Sequence, residues 1–221
     1  MSYPFDWLTI RENGVAVSSS PISPISEGRS LLMFSDGSEW DVTDPGLRKS
    51  ANVAVNPVLH ERGFEDGRIR TFIRRNNATS QARAWGGVFI LSDDEDGIGT
   101  RVDPGQNRYE ISDQDGFITL TKFTDALPEV LFVSVATFDP TIIYGFQVLW
   151  NYDSLLDHMY IEVHLGTELD FSDLAPIITF NDEDSPHFLS VSEGLFVETV
   201  SDTDIVSYTF DTTYIWKSDH I

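Results

Sequence analysis

The 221-residue chain contains no cysteine and has no long hydrophobic run. The absence of cysteine excludes disulfide bonds, thiol catalysis and cysteine-ligated zinc. Its apolar stretches, such as Val130–Val133, fall far short of the about 20 residues that a membrane helix requires. The first residues, Met1–Ile10, lack the basic start and apolar segment of a signal peptide, so neither a membrane span nor ordinary secretion is predicted.

Basic side chains are also scarce. The chain has 14 Lys and Arg residues against 36 Asp and Glu residues, and its formal net charge is −22. Binding to a phosphate backbone depends on Lys and Arg, which release the counterions condensed on the nucleic acid. A surface of this charge repels DNA, RNA and anionic lipid, so we expect no nucleic-acid partner and no membrane partner.

Lysine is depleted more strongly than arginine, with only Lys49, Lys122 and Lys217 in the whole chain. Many short carboxylates and few lysines keep a protein hydrated when salt screens charges beyond about 3 Å at 1 M. The composition therefore favours a protein from an extreme halophile. The alternatives are an acidic protein of an ordinary organism and a protein rich in calcium sites.

Short segments that alternate apolar and polar residues, separated by Gly, Pro, Asn and Asp, run along most of the chain. Alternation of this kind predicts β-strands, and about a dozen of them predict an all-β protein, an antiparallel β-sandwich. The hairpin connection Asp113–Gly116 fits, because glycine supplies a positive φ. The predicted strands are Gly14–Ser19, Ser30–Phe34, Val53–Leu59, Arg68–Arg75, Trp85–Ser92, Arg108–Ser112, Phe117–Phe123, Val130–Phe138, Tyr144–Tyr152, Met159–Leu165, Pro176–Phe180, Leu195–Val200 and Ile205–Tyr214.

A sandwich of this many strands uses nearly the whole chain, so residues 1–221 are predicted to form a single domain. The Ser/Pro-rich stretch Ser18–Ser26 cannot form an inner strand, because proline lacks the amide hydrogen that the ladder needs. It is either a loop over one sandwich face or a linker. In the second case residues 1–50 form a partly separate N-terminal docking segment.

Six segments of the chain after about Asn52 follow one another in a distinctive order. They are Gly67–Arg74, Trp85–Asp93, Arg108–Lys122, Tyr144–Tyr152, His158–Gly166 and Gly194–Val197. Their order resembles the concanavalin A-like lectin/glucanase sandwich, including laminin-G-type domains. The resemblance rests on a pattern of strands and turns, and a capsid-type jelly roll would give much the same pattern. It implies a concanavalin A-like β-sandwich fold and says less about function.

Carbohydrate binding needs an exposed aromatic ring with polar side chains beside it, because a sugar stacks its apolar face and directs its hydroxyls outward. The candidate rings lie on predicted strands, with Asp113 and Asn151 nearby. Rings in strands also commonly pack in the core, so both readings stay open here. The candidate binding residues are Trp85, Tyr109, Asp113, Trp150 and Tyr152.

The densest carboxylate cluster is the segment Asp93–Gly99. Calcium takes six to eight oxygen ligands, and closely spaced aspartates at a glycine turn can supply several of them. The resemblance implies calcium as well, since many members of the family bind it through loop acids. The candidate ligands are Asp93, Asp94 and Asp96, and the alternative is a solvated acidic turn.

The resemblance also includes glycoside hydrolases, which place two carboxyl groups close together over the scissile bond. The nearest candidates are Glu39, in Glu39–Asp44, and Glu110, which precedes Asp113 by three residues. A spacing of three places two side chains on opposite faces of a strand, so no catalytic pair is predicted.

Together these features predict a non-enzymatic structural or adhesion protein. The setting that accommodates a halophilic composition, no secretion signal and a lectin-like sandwich is the virion of a halophile-infecting tailed virus, as a capsid decoration, turret or tail-fibre component. Its expected partners are other virion proteins, further copies of itself in a homo-oligomer, and a host surface glycan. A carbohydrate-binding module and a glycoside hydrolase are the alternatives.

Overall fold

The computed structural model places two antiparallel β-sheets against each other. It describes residues 66–75, 84–92, 107–114, 116–139, 142–168, 171–188 and 192–199, and it also assigns strands at 7–9, 32–34, 40–43, 46–51, 56–60 and 206–217. These residues contain strands and turns and no helix, so none of them forms a helix able to cross a membrane. The predicted all-β sandwich is confirmed.

Fifteen strands build the two sheets. They are β1 (Trp7–Thr9), β2 (Leu32–Phe34), β3 (Trp40–Thr43), β4 (Gly46–Ala51), β5 (Asn56–His60), β6 (Gly67–Arg75), β7 (Ala84–Ser92), β8 (Arg108–Gln114), β9 (Phe117–Thr124), β10 (Leu127–Thr137), β11 (Tyr144–Asp153), β12 (His158–Gly166), β13 (Ile178–Asp182), β14 (Ser192–Thr199) and β15 (Val206–Lys217).

Sheet A runs in the order β13-β12-β11-β6-β15-β4-β3, with β1 also paired to β15. Sheet B runs in the order β10-β9-β8-β7-β14-β5-β2. Strands from the two ends of the chain lie side by side in both sheets, since β4 pairs with β15 and β5 with β14. Among the strands that the structure assigns, β13 lies at one edge of sheet A and β10 at one edge of sheet B.

The core forms because alternate residues of each strand point between the sheets. In β6 the pattern is regular: Ile69, Thr71 and Ile73 are buried, and Arg70 and Phe72 between them are partly exposed. Strand β8 of sheet B contributes Tyr109 and Ile111 to the same core. Side chains from both sheets thus share one apolar layer, and each sheet is left with an outer face.

Twelve of the thirteen predicted strands overlap a strand of the structure to within a few residues at each end: the ten from Arg68 onward match β6 to β15, and Ser30–Phe34 and Val53–Leu59 match β2 and β5. The hairpin turn is also confirmed: Gly116 has a φ of 85° and donates its amide to Asp113 Oδ1 at 3.1 Å. The predicted strand Gly14–Ser19 lies outside the described residues.

Three strands in the first part of the chain, β1, β3 and β4, were not predicted from the sequence. In β4 the stretch Arg48–Ser50 is polar throughout and has no apolar alternation to detect. All three strands pair within sheet A, β1 and β4 with β15 and β3 with β4. The division of the chain into one domain or a domain with a separate segment stays a prediction.

Candidate functional site

Two of the predicted platform rings lie in the core. Trp150 and Tyr109 are both fully buried, and both belong to the apolar cluster between the sheets. Gly67 explains the position of Trp150, because a Cβ at Gly67 would lie 2.2 Å from its ring. Neither ring is exposed, so neither provides the platform that stacking on a sugar requires.

The other predicted binding residues have different surroundings. Asp113 is buried, and its Oδ2 lies 3.4 Å from Arg75 Nη1 in an ion pair. Tyr152 is half-buried and donates its hydroxyl to Asp157 Oδ1 at 2.7 Å. Trp85 lies on β7, and its side chain lies outside the described residues. Among these described side chains, Tyr152 is the one ring at the surface.

The predicted calcium ligands Asp93, Asp94 and Asp96 lie outside the described residues. Within the part of the chain that the structure describes, no group of three His, Asp or Glu side chains is arranged to hold a metal ion. The calcium site therefore stays a prediction.

Of the candidate catalytic carboxylates, the two that the structure describes, Glu110 and Asp113, do not come together. Glu39 lies outside the described residues. In β8, which has a regular register with both neighbours, Glu110 and Asp113 are three residues apart and so lie on opposite faces. Glu110 is buried and accepts from Arg108 Nε at 2.6 Å. The expectation that these two carboxyl groups do not share a face is confirmed.

A polar surface that the sequence reading did not single out covers part of the outer face of sheet A. In β12 the residues Met159, Ile161 and Val163 point into the core, so Tyr160 and Glu162 point outward. Tyr160 is 39% exposed, which makes its ring an open apolar surface among polar neighbours. We name this outer surface around Tyr160 the Tyr160 face.

The strand register places an amide on each side of the ring. Asn151 of β11 and Asn181 of β13 both lie directly opposite Tyr160. Directly opposed residues of antiparallel strands share a face and have Cβ atoms about 5 Å apart. The Tyr160 face therefore presents two carboxamides flanking one exposed ring.

Hydrogen bonds fix the ring and one of the amides. The Tyr160 hydroxyl donates to Glu162 Oε1 at 2.6 Å, and this bond, with some burial, raises the pKa of Tyr160 to about 12. Asn181 Nδ2 donates to His158 Nδ1 at 3.1 Å and to Glu183 Oε1 at 3.0 Å. Because both amide hydrogens of Asn181 already donate to other side chains of the protein, its Oδ1 is the atom available to accept a hydrogen bond from a ligand.

Arg68 of β6 lies across Leu149 from Glu162, because Leu149 is paired with both residues. Burial lowers the pKa of this guanidinium. With strand spacings of about 4.8 Å and a rise of about 3.3 Å per residue, Arg68 and Tyr160 lie roughly 12 Å apart across the face. The face thus combines the Arg68 cation, two amides and the carboxylates of Glu162 and Glu183 around the ring.

The connection between β12 and β13 forms a wall along one side of the Tyr160 face. Phe171 is buried there, with its ring 5.4 Å from the Arg70 guanidinium and 6.1 Å from the His164 ring. The His164 Nδ1–H donates to Leu174 O at 3.0 Å, because a carbonyl oxygen can only accept. Its other nitrogen, Nε2, lies 3.5 Å from Glu162 Oε2.

Two glycines allow this wall to approach the sheet. A Cβ at Gly145 would lie 2.1 Å from the Glu168 carbonyl oxygen, and one at Gly166 would lie 2.6 Å from Leu174 Cδ1. Since a Cβ essentially never comes within 3.0 Å of another heavy atom, Gly145 requires glycine while the Glu168 backbone stays in place. At Gly166 the close atom is the end of the Leu174 side chain, which can move aside.

A buried ion pair holds the end of β13 against the opposite sheet. Asp182 Oδ2 accepts from Lys122 Nζ at 2.7 Å and from the Tyr109 hydroxyl at 2.6 Å, and both donors belong to sheet B. Lys122 also donates to the Asp184 carbonyl at 2.6 Å. Because Asn181 precedes Asp182, this contact fixes the edge strand that carries one of the flanking amides.

A second cluster lies next to this contact. The buried His187 side chain sits with Nδ1 3.7 Å from Asp182 Oδ2 and Nε2 3.9 Å from Asp157 Oδ1. Asp157 accepts from Tyr152 and from Ser185 Oγ, and these bonds lower its pKa. The cluster joins the β11–β12 turn to the segment that follows β13, beside the Tyr160 face.

The sequence contained a signal for the Tyr160 face. The segment His158–Gly166 alternates apolar residues with His, Tyr, Glu and His, which identifies both a strand and its outward side chains. The two asparagines opposite Tyr160 could not be assigned to it, because sequence periodicity does not specify which strands become neighbours.

With the fold and this surface described, comparison with known proteins defines the class of architecture: a two-sheet β-sandwich shared by lectins and carbohydrate-binding modules. No protein-family model matches the chain, and a search of curated proteins finds no match. Solved structures do match, at low sequence identity. They establish the fold, in agreement with the predicted concanavalin A-like sandwich.

Three of these structures are informative. The carbohydrate-binding module CBM66 from Bacillus subtilis is 15% identical with a TM-score of 0.52, and the match covers 85% of this chain and 92% of that one. The exoplasmic/lumenal domain of VIP36 in its Ca²⁺/Man₃GlcNAc-bound form is 9% identical with a TM-score of 0.53, covering 84% and 87%. The xylan β-1,4-xylosidase from Bacillus halodurans C-125 is 11% identical with a TM-score of 0.56, covering 83% of this chain and 35% of the enzyme.

Proposed function

We propose that this protein binds a neutral glycan on the Tyr160 face and does not cleave it. The observation that carries the proposal is the exposed ring of Tyr160 between Asn151 and Asn181. A ring covers the apolar side of a sugar, and amide groups offer both donors and acceptors to its hydroxyls.

The charges of the face favour an uncharged ligand. Arg68 provides donors and Glu162 provides acceptors, and Glu183 adds a second carboxylate beside Asn181. An anionic sugar would approach Glu162 and Glu183, and like charges across an interface are costly. A neutral sugar can hydrogen-bond to these charged side chains without this cost.

The similar structures support a binding role. One of them is a carbohydrate-binding module, and another is an exoplasmic/lumenal domain bound to Ca²⁺ and Man₃GlcNAc. The third is an enzyme, but the match spans only 35% of its length. A hydrolase remains the alternative, and release of reducing sugar by the purified protein would establish it.

Calcium belongs to the same proposal. The VIP36 structure is calcium-bound, and the acidic segment with Asp93, Asp94 and Asp96 offers carboxylates suited to this ion. Titration calorimetry with CaCl₂ tests this: heat of binding that disappears in an Asp94→Asn/Asp96→Asn variant supports it, and no heat in the wild type contradicts it.

The setting predicted from the sequence, a virion component of a halophile-infecting tailed virus, adds to the binding proposal without depending on it. A glycan-binding sandwich with a strongly acidic surface suits attachment to a host surface in concentrated salt. Capsid or tail genes next to the gene for this protein would support this setting, and genes for sugar metabolism there would contradict it.

A glycan array followed by calorimetry on the best ligand tests the binding proposal. We expect Tyr160→Ala to weaken binding at least tenfold, since it removes the stacking surface. The matched control is Phe117→Ala, because Phe117 is a ring of similar exposure, 41%, located on sheet B. Equal affinity of Tyr160→Ala and wild type, or no glycan bound by the wild type, would contradict the proposal.

A further inference from the structure

The edge of sheet B formed by β10 is unusually apolar. Among the strands that the structure assigns, this 11-residue strand pairs with β9 alone and forms one end of the sheet. Four of its apolar side chains are exposed, Leu127 by 72%, Val130 by 56%, Val133 by 51% and Val135 by 97%. Large exposed apolar groups in a row mark a surface that another molecule covers.

The edge of sheet A at β13 is different. Its exposed positions Thr179 and Asn181 are polar, and Glu183 and Asp184 follow the strand directly. Charged and polar edges prevent a sheet from pairing with another molecule. Along β10, in contrast, Glu129 is the single charged side chain, in a chain whose net charge is −22.

The pairing of β10 with β9 contains two register shifts, one between Val130 and Phe132 and one between Val133 and Thr137. Such bulges leave only short regular stretches of backbone for a further strand. The contact that β10 can offer is therefore made mainly by its apolar side chains.

We propose that β10 is the surface on which a second copy of this chain packs, antiparallel and about a two-fold axis. Two copies that each carry a charge of −22 repel each other over most of their surfaces. They can meet closely where charge is nearly absent, and β10 is such a strip. A two-fold axis also places the same apolar side chains of each copy against those of the other.

The dependence of association on salt concentration distinguishes a second copy of this chain from a basic partner protein. Screening removes the long-range repulsion between two acidic copies, so the dimer is expected to strengthen from dilute buffer to molar KCl. A basic partner is attracted by the acidic surface, and its binding would weaken over the same range.

Sedimentation velocity and light scattering across KCl concentration test the proposal. We expect the wild type to be increasingly dimeric at molar KCl. Val135→Asp and, separately, Val130→Asp should raise the dimer dissociation constant by about a hundredfold, because each change places an unpaired carboxylate in an apolar contact. The matched control is Leu155→Asp, since Leu155 is 93% exposed on the β11–β12 turn.

A wild type that stays monomeric at every salt concentration would overturn the proposal, as would a dimer that both valine variants leave intact. Since the chain has no cysteine, a Val133→Cys variant gives a second readout. A short bifunctional thiol reagent should cross-link it at molar KCl and leave a Leu155→Cys variant uncross-linked. Equal cross-linking of the two would place the contact elsewhere.

Discussion

At the scale of single residues, the function proposed here depends on one exposed ring that the protein holds in place by its hydroxyl. The bond from Tyr160 to Glu162 keeps the phenol protonated, and it raises the pKa of Tyr160 from 10.0 to about 12. The ring therefore stays neutral, and the hydroxyl remains a donor to Glu162, at any pH at which a glycan is bound.

The first prediction concerns this raised pKa. A group with a raised folded-state pKa stabilises the fold fully below its unfolded pKa, and this contribution is lost as pH rises through the folded value. We expect the contribution of Tyr160 to the free energy of unfolding to be complete below about pH 10 and absent above about pH 12.

The Tyr160→Phe variant should keep its glycan affinity within a few-fold of the wild type, since the aromatic ring remains.

Ultraviolet titration of the tyrosine side chains measures the pKa of Tyr160. The difference between wild type and Tyr160→Phe should show one phenol that ionises near pH 12. Glu162→Gln serves as the control, because it removes the carboxylate while keeping an acceptor, and it should move this ionisation toward the ordinary tyrosine range. Ionisation of Tyr160 near pH 10 in the wild type would show that the bond to Glu162 does not form.

At the scale of elements, the contact of β13 with sheet B decides whether Asn181 is held beside the ring. We predict that Lys122→Met lowers the free energy of unfolding by about 3–5 kcal/mol, because it leaves Asp182 buried without its cation. Chemical denaturation measures this change. The exposed residue Asp173 provides the control, and Asp173→Asn should change stability by less than about 0.5 kcal/mol. A loss below about 1 kcal/mol for Lys122→Met would mean that this ion pair does not hold the strand.

The wall beside the Tyr160 face gives a second prediction at this scale. Gly145→Ala forces the Glu168 carbonyl away, since the new Cβ would lie 2.1 Å from it. We expect a loss of about 1–3 kcal/mol in unfolding free energy and faster amide exchange in the loop between β12 and β13. Asp173→Ala, at an exposed loop position, should leave both unchanged. Unaltered exchange in Gly145→Ala would show that the wall does not depend on this glycine.

These elements also show what the sequence could and could not predict. The alternation in β6 and β12 sets their period and their buried faces, so the sandwich and its strands from Arg68 onward were predictable. The burial of Trp150 was not, because alternation alone does not say which face meets the other sheet. The contact of Lys122 with Asp182 joins residues 60 positions apart, and strand order, which local periodicity does not encode, determines such contacts.

At the scale of the whole molecule, the formal charge of −22 sets the conditions under which the fold is stable. Self-repulsion among 36 carboxylates destabilises a compact chain in dilute buffer, and salt screens it. We predict that the thermal unfolding temperature rises steadily from dilute buffer to molar KCl, which is the behaviour expected of a halophilic protein.

Thermal scans at low protein concentration separate this effect from dimer formation, because association stabilises a protein in a concentration-dependent way. An unfolding temperature that rises with KCl equally at two protein concentrations reports on screening within one chain, whereas a rise that appears only at the higher concentration reports on the contact along β10. Sorbitol at matched osmolality should reproduce little of the gain, since it does not screen charge. No gain between dilute buffer and molar KCl would show that the acidic surface is not an adaptation to salt.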